Sequence, residues 1–308
     1  MTRARVAYGV VVLLTLLVFS EMGTGAFADA ASARPVVVLL SDFGLEGDAV
    51  GLCHGAILRV NSNIAIVDLN HNITAYNVQQ AALALARTEG FPKGAVFVAV
   101  VDPGVGGERK ALALRTNMGM VYVGPDNGIF TYVMQRQGVK DVVSLFPHKI
   151  NPAWKPGTFD GRDLFSPAGA LIATAGGEIR GLGLPVDPNA LVRLPAPQAN
   201  LDLTTKSARG VYLATDHPYG NVWTNIPAAM LDALGLKRGN ALVAAFKTAS
   251  GETRIEAPLV ASFSDVPEGQ ALAYLNSDNQ LAFALNQGDF AKTHRLVEGA
   301  ELRVTRKE

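Results

Sequence analysis

Hydrophobic positions fall into two textures along the chain. From Val36 to about Gly177, short apolar runs of the fully buried type alternate with stretches of helical spacing. Val36–Ser41, Ala65–Leu69 and Ala95–Val101 read as strands, and Ala49–Val60 and Val78–Thr88 as helices. Ala111–Arg115 and Met120–Val123 read as further strands, joined as a hairpin through Asn117 and Gly119. Ile129–Gln137 and Phe165–Thr174 carry helical patterns. Strand and helix in alternation predict an α/β domain over 35–184, with a mainly parallel sheet flanked by helices. Four prolines between Leu184 and Asn200 stiffen the chain and block ladder hydrogen bonding, so 185–200 reads as a linker. Over 201–308 short strands dominate: Val211–Thr215, Ala241–Phe246, Ala271–Leu275, Leu281–Leu285 and Leu302–Thr305. Turn residues separate them, which predicts an all-β, barrel-like second domain.

The first thirty residues stand apart. Arg3 and Arg5 precede an apolar run from Val6 to Phe19, followed by small-x-small cleavage patterns at Ala28–Ala30 and Ala31–Ala33. That layout is a secretory signal peptide over 1–30, and the run is short for a span of about 30 Å of hydrocarbon. The expectation is an exported protein, periplasmic or extracellular, with no stable membrane anchor. The chain has 27 basic and 27 acidic residues. Losing residues 1–30 removes two of each sign. A neutral chain shows no electrostatic footprint for nucleic acid. The single cysteine, Cys53, rules out an internal disulfide and a cysteine-built zinc site.

Candidate chemistry sits where strands end. Asp42, Asp102 and Asp126 each follow a predicted strand, and each is followed closely by glycine: Gly44, Gly104 and Gly128. Ligands of open α/β sheets bind outside the carboxyl ends of the strands, where glycine lets backbone approach a ligand. A carboxylate there can hold a sugar diol, an ammonium group or a metal ion. The GVGG run after Asp102 lacks dinucleotide-fingerprint spacing.

Five segments occur in order: LLSDFGLEGDAVGLCHGAI, VAVVDPGVGGER, VGPDNGIF, TFDGRDLFSPAGA and DHPYGNVWTNI. They resemble the S-adenosylmethionine hydrolase family (S-adenosylmethionine hydroxide adenosyltransferases), relatives of fluorinase and chlorinase, from about Pro35 to Arg303. The resemblance implies hydrolysis of S-adenosylmethionine to adenosine and L-methionine by water or hydroxide attack at the ribose 5′ carbon. It also implies a homotrimer with intersubunit active sites, no cofactor and no metal. By the same resemblance Asp42 grips the ribose hydroxyls, Tyr76 lines the sugar and adenine pocket, and Asp216, Asn221 and Ser277 touch the ligand from the second domain. Asp102 and Arg109 form the pair that favours water over halide as nucleophile. His71, Asp126, Asn127, Trp223 and the Arg162–Asp163 pair are expected to be structural.

The chain departs from that pattern at Asp160. The hydrolase family usually reads Phe-His-Gly-Arg-Asp, whereas this chain reads Phe-Asp-Gly-Arg-Asp over 159–163. Three consequences stay open. Asp160 replaces histidine as a water-orienting base, sharing a proton with Asp102; or it pairs with Arg109; or catalysis is weak or lost. Two rival readings accompany these: an exported adenosine or S-adenosylmethionine binding protein, and a metal-dependent hydrolase built on Asp42, Asp68, His71 and Asp102.

Overall fold

The computed structural model describes residues 34–249 and 251–307, so the predicted signal peptide lies outside the described residues. The chain divides into two compact units that meet between Leu194 and Pro195. The elements of the first unit are β1 (Val36–Ser41), α1 (Ala49–Val60), β2 (Ala65–Asn70), α2 (Val78–Leu85), β3 (Val96–Val100), β4 (Ala111–Arg115), β5 (Val121–Pro125), α3 (Thr131–Gln137), β6 (Asp141–Leu145), the short α4 (Pro147–Ile150), α5 (Ser166–Thr174) and β7 (Gly183–Pro185). A π-helical turn, Gly161–Phe165, leads directly into α5.

The seven strands form one sheet in the order β2-β1-β3-β5-β4-β6-β7. The first three pairings are parallel. The other three are antiparallel, beginning with the β4–β5 hairpin. The sheet is therefore mixed: its parallel half is the β-α-β alternation, and the hairpin through Gly119 starts the antiparallel half. Both faces are covered. Val37, Leu39, Val96, Val98, Val121 and Val123 enter one buried cluster with residues of α1 and α5. Their neighbours Val38, Leu40, Phe97, Ala99 and Tyr122 enter another with residues of α2 and α3. Successive side chains of a strand point to opposite faces, so a strand buried on both sides has no polar position to alternate with. That is why these strands read as continuous apolar runs.

The second unit contains β8 (Asn200–Asp202), β9 (Ser207–Asp216), β10 (Asn221–Pro227), α6 (Ala228–Ala233), β11 (Ala241–Thr248), β12 (Gly251–Pro258), β13 (Ala271–Leu275), β14 (Gln280–Leu285), α7 (Phe290–Thr293) and β15 (Glu301–Arg306). Its strands run β12-β11-β15-β9-β10-β14-β13, all neighbours antiparallel, with β8 on β9. A bridge between Leu259 and Ala273 brings the end of β12 back to β13, so the sheet is a nearly closed barrel. Its core holds Tyr212, Phe246, Phe283 and Phe290, all fully buried. Among the described residues, no helix is long and apolar enough to cross a membrane.

Candidate active site

β1, β3 and β5 are parallel neighbours, so Asp42, Asp102 and Asp126 leave the sheet at one edge. Ser41 pairs with Val100, which sets Asp42 and Asp102 on adjacent strand ends. After Asp102 the chain folds back through two tight turns, with Val105 N donating to Asp102 O and Gly107 N to Gly104 O. Gly106 takes φ +78°, a left-handed conformation that disfavours other residues. This reversal returns Arg109 to Asp102. Arg109 Nε and Nη2 both donate to Asp102 Oδ2, at 2.9 and 2.6 Å.

Arg109 also reaches Asp160. Its Nη2 donates to Asp160 Oδ2 at 2.5 Å, and Trp154 Nε1 donates to Asp160 Oδ1 at 3.1 Å. Both oxygens of Asp160 are thereby engaged. The guanidinium lies 5.4 Å from the centre of the Phe165 ring, at the end of the π-helical turn. The two carboxylate side chains are 4% and 5% exposed, and Arg109 is 14% exposed. Burial works against the Arg109 charge, but its hydrogen bonds to Asp102 and Asp160 outweigh that and hold its pKa above the ordinary arginine value. One atom of the set is left over: Asp102 Oδ1 is buried with no hydrogen-bond partner. A buried ionised oxygen without a donor is costly, and such exceptions mark catalytic or strained positions.

Asp42 leaves the neighbouring strand end. Its Oδ2 accepts from the backbone N–H of Tyr76, a half-turn residue held at φ +68° with its ring largely exposed. Phe43 packs edge-on against Phe159, at 5.6 Å between ring centres, and so ties the Asp42 turn to the segment carrying Asp160. Asp126 is employed differently: its Oδ1 accepts from Val192 N, and Asn127 Nδ2 donates to Val101 O. Arg162 and Asp163 form a forked pair with each other, at 2.7 and 2.8 Å. Cys53 is buried, and burial pushes its thiol up to about 11, which removes it as a nucleophile at neutral pH.

The four residues of the metal-hydrolase reading do not assemble as a set. Asp42 and Asp102 have the partners just described, whereas Asp68 and His71 converge with His54.

The second unit holds a cavity of about 770 Å³. Asp216, Asn221 and Ser277 all line it, together with Trp223, Tyr274 and Asn276. The β9–β10 hairpin supplies the first two. Asn221 pairs with Asp216 in the ladder, and Asn221 Nδ2 donates to Asp216 Oδ2 at 3.0 Å. Gly220 permits that turn: it has φ +71°, and a Cβ there would fall 2.1 Å from Asp289 Oδ1. Trp223 Nε1 donates to the Tyr274 hydroxyl and forms part of the wall. Asn221 Oδ1 and Asn276 Nδ2 are buried without protein partners, one acceptor and one donor on the lining of the same cavity. Its size matches small-molecule sites, and its mostly apolar wall with a few convergent polar groups is their usual character. Trp154 and Tyr274 lie outside every quoted segment, whereas Phe165 belongs to TFDGRDLFSPAGA and Asn276 adjoins Ser277.

Residues 37–183 match the SAM hydroxide adenosyltransferase N-terminal domain, and residues 210–303 match the corresponding C-terminal domain. The chain belongs to the S-adenosylmethionine hydroxide adenosyltransferase family. It is 35% identical to an (R)-S-adenosyl-L-methionine hydrolase of Thermus thermophilus, with 88% of this chain and 99% of that protein covered. It is 28% identical to a fluorinase of Actinopolyspora mzabensis, over 89% of this chain and 98% of that one. A crystal structure of a conserved protein from Thermotoga maritima superposes with a TM-score of 0.80 at 28% identity, over 88% of this chain and all of the other.

Proposed function

We propose that this protein hydrolyses S-adenosylmethionine to adenosine and L-methionine, with water attacking the ribose 5′ carbon. The observation that carries this reading is the buried Asp102–Arg109–Asp160 set with Asp102 Oδ1 unpartnered. Asp102 Oδ1 accepts a hydrogen bond from the attacking water and orients its lone pair along the C–S axis. A carboxylate suits water and repels a halide, which separates this chemistry from that of the fluorinase relatives. The new C5′–O bond forms as the C5′–S bond breaks. The bonding pair goes to sulfur, giving a neutral thioether, and the water proton passes to the carboxylate and on to solvent. The sulfonium leaves readily, so no general acid is required. Alignment is the main demand on the protein, and such positioning is worth roughly 7–11 kcal/mol.

Asp160 is a positioning residue in this reading. Its oxygens hold Arg109 and Trp154, and Arg109 in turn fixes Asp102. Asp42, oriented by Tyr76 N, takes the ribose hydroxyls. Asp216, Asn221 and Ser277 supply polar groups for the ribose or methionine end of the ligand. Export and the homotrimer belong to the same reading, on the signal-peptide pattern and the resemblance respectively. The names of the hydrolase relatives specify the (R) epimer of the sulfonium, and the same preference is expected here.

Product analysis tests the reading. Each sulfonium epimer is incubated with the protein, and adenosine and methionine are quantified. Equal amounts of both from the (R) epimer, abolished by Asp102→Asn, support it. Methylthioadenosine or S-adenosylhomocysteine as product contradicts it. Tight binding with no product favours the binding-protein reading, which the aspartate in place of the family histidine motivates.

A further inference from the structure

A second cluster of chemistry-bearing side chains lies on α1, on β2 and just past the end of β2, separate from the Asp102–Arg109–Asp160 set. His54 Nε2 and His71 Nε2 both contact the same oxygen, Asp68 Oδ1, at 2.8 and 2.9 Å. The three candidate ligand atoms lie within 4.8 Å of one another. His71 is 3% exposed, while His54 and Asp68 are 31% and 43% exposed, so the cluster is anchored on its inner side and open to solvent on its outer side. We infer that His54, Asp68 and His71 form a binding site for a divalent transition metal of the zinc type.

Three observations support this. First, the donor set is two imidazoles and one carboxylate, which suits zinc and its neighbours rather than calcium or magnesium, whose sites are built from oxygen. Second, the reach is right. Two zinc–ligand bonds of about 2.0–2.2 Å span at most about 4.4 Å, so a small rotation of the half-exposed His54 closes the set. Third, the inner histidine has an outer partner. His71 Nδ1 is 2.7 Å from Ser41 Oγ. With Nε2 on a metal, Nδ1 carries the proton and donates it to that hydroxyl, the arrangement that orients metal-bound histidines.

The position also gives the site a consequence. Ser41 Oγ accepts from Phe43 N, and His71 O accepts from Gly44 N. Ser41 and His71 thus clasp the turn that carries Asp42. A metal on His71 braces that turn; it has no part in the displacement itself. The inference stands whether or not the protein hydrolyses S-adenosylmethionine.

The test is titration of the full, untagged chain with Zn²⁺ alone, followed calorimetrically, with metal content measured after gel filtration. The chain has five histidines, so a stoichiometric site is distinguishable from scattered surface binding. Expected are one zinc per chain, loss of that binding in His54→Ala and in Asp68→Asn, and binding about 10–100-fold weaker in Ser41→Ala. Co²⁺ in the same site should give the visible absorption of a low-coordinate nitrogen–oxygen centre. Circular dichroism checks that the variants fold, and His54 is exposed enough that its removal leaves the core intact. No zinc binding by the wild-type chain, or binding unaffected by His54→Ala, overturns the inference. Because the readout is metal binding, its failure is separate from any failure of the hydrolase reading.

Discussion

Asp160→Asn separates a positioning carboxylate from a catalytic base. Asp160 is 4% exposed and makes two hydrogen bonds, one from Trp154 Nε1 to Oδ1 and one from Arg109 Nη2 to Oδ2. Both partners are donors. Asparagine offers one acceptor oxygen and one donor NH₂, so in either orientation a donor faces a donor. A hydrogen bond to a charged group contributes about 1.5–3 kcal/mol. If the whole of that reached the transition state, kcat would fall about 10- to 150-fold, at 1.36 kcal/mol per decade. Arg109 keeps both of its bonds to Asp102, so the attacking water stays oriented. The expected result is a kcat lowered within that range, KM nearly unchanged and a pH–rate profile of the same shape. Steady-state kinetics of adenosine release from pH 5 to 9 measures all three. A loss beyond about 10³-fold with the acidic limb of the profile abolished would make Asp160 the base. Unchanged kcat and unchanged urea stability would show that Asp160 does not hold Arg109 at all.

Arg109→Ala leaves two nearly inaccessible carboxylates with no cation. Breaking a buried ion pair from one side costs about 3–5 kcal/mol, so the urea midpoint should fall and kcat with it, and Arg109→Lys should recover part of each. Equal stability of wild type and Arg109→Ala would contradict the pairing. Asp42→Ala should act on binding, raising KM about 10- to 150-fold while kcat changes less, which initial rates over a range of substrate concentrations will show. His294 gives a pH dependence to stability. Its Nε2 is buried without a partner, and burial holds its pKa below the ordinary histidine value. The unfolded chain therefore takes up that proton first as pH falls below about 6.5, and stability is lost on acidification through that window. His294→Leu keeps a side chain against Phe290 and removes the proton, so the stability difference between variant and wild type should grow in the variant's favour from pH 7 to pH 5. A difference independent of pH would refute this.

Much of the first unit was legible because its central strands, β1, β3 and β5, are buried on both faces. Runs such as Val36–Ser41 and Val96–Val100 have no solvent-facing position, and their ends are marked by the acids that leave the sheet. The parallel order of β1, β3 and β5 then places Asp42 and Asp102 side by side without further information. The antiparallel edge was harder to read. β7 has only three residues and β6 interrupts its apolar run with Ser144, while in the second unit β12 alternates exposed Arg254 and Glu256 with buried Ile255 and Ala257 because its outward face is solvated. β10 was hidden for another reason: its residues Asn221–Pro227 read as a motif, and the motif obscured the strand that presents it. Asp160 was visible as a departure from pattern, but its role depends on Trp154, which lies in a loop with no periodicity. Likewise Asp68 and His71 are three apart in sequence, whereas His54 joins them only in the fold, from α1, with its Nε2 2.8 Å from Asp68 Oδ1.

The central claim is that water, placed by Asp102, displaces methionine at the ribose 5′ carbon. Turnover of S-adenosylmethionine in ¹⁸O-labelled water, with mass spectrometry of the products, tests it directly. The account predicts one labelled oxygen at the 5′ hydroxyl of adenosine and none in methionine. Label in methionine, or adenosine formed without label, would contradict it.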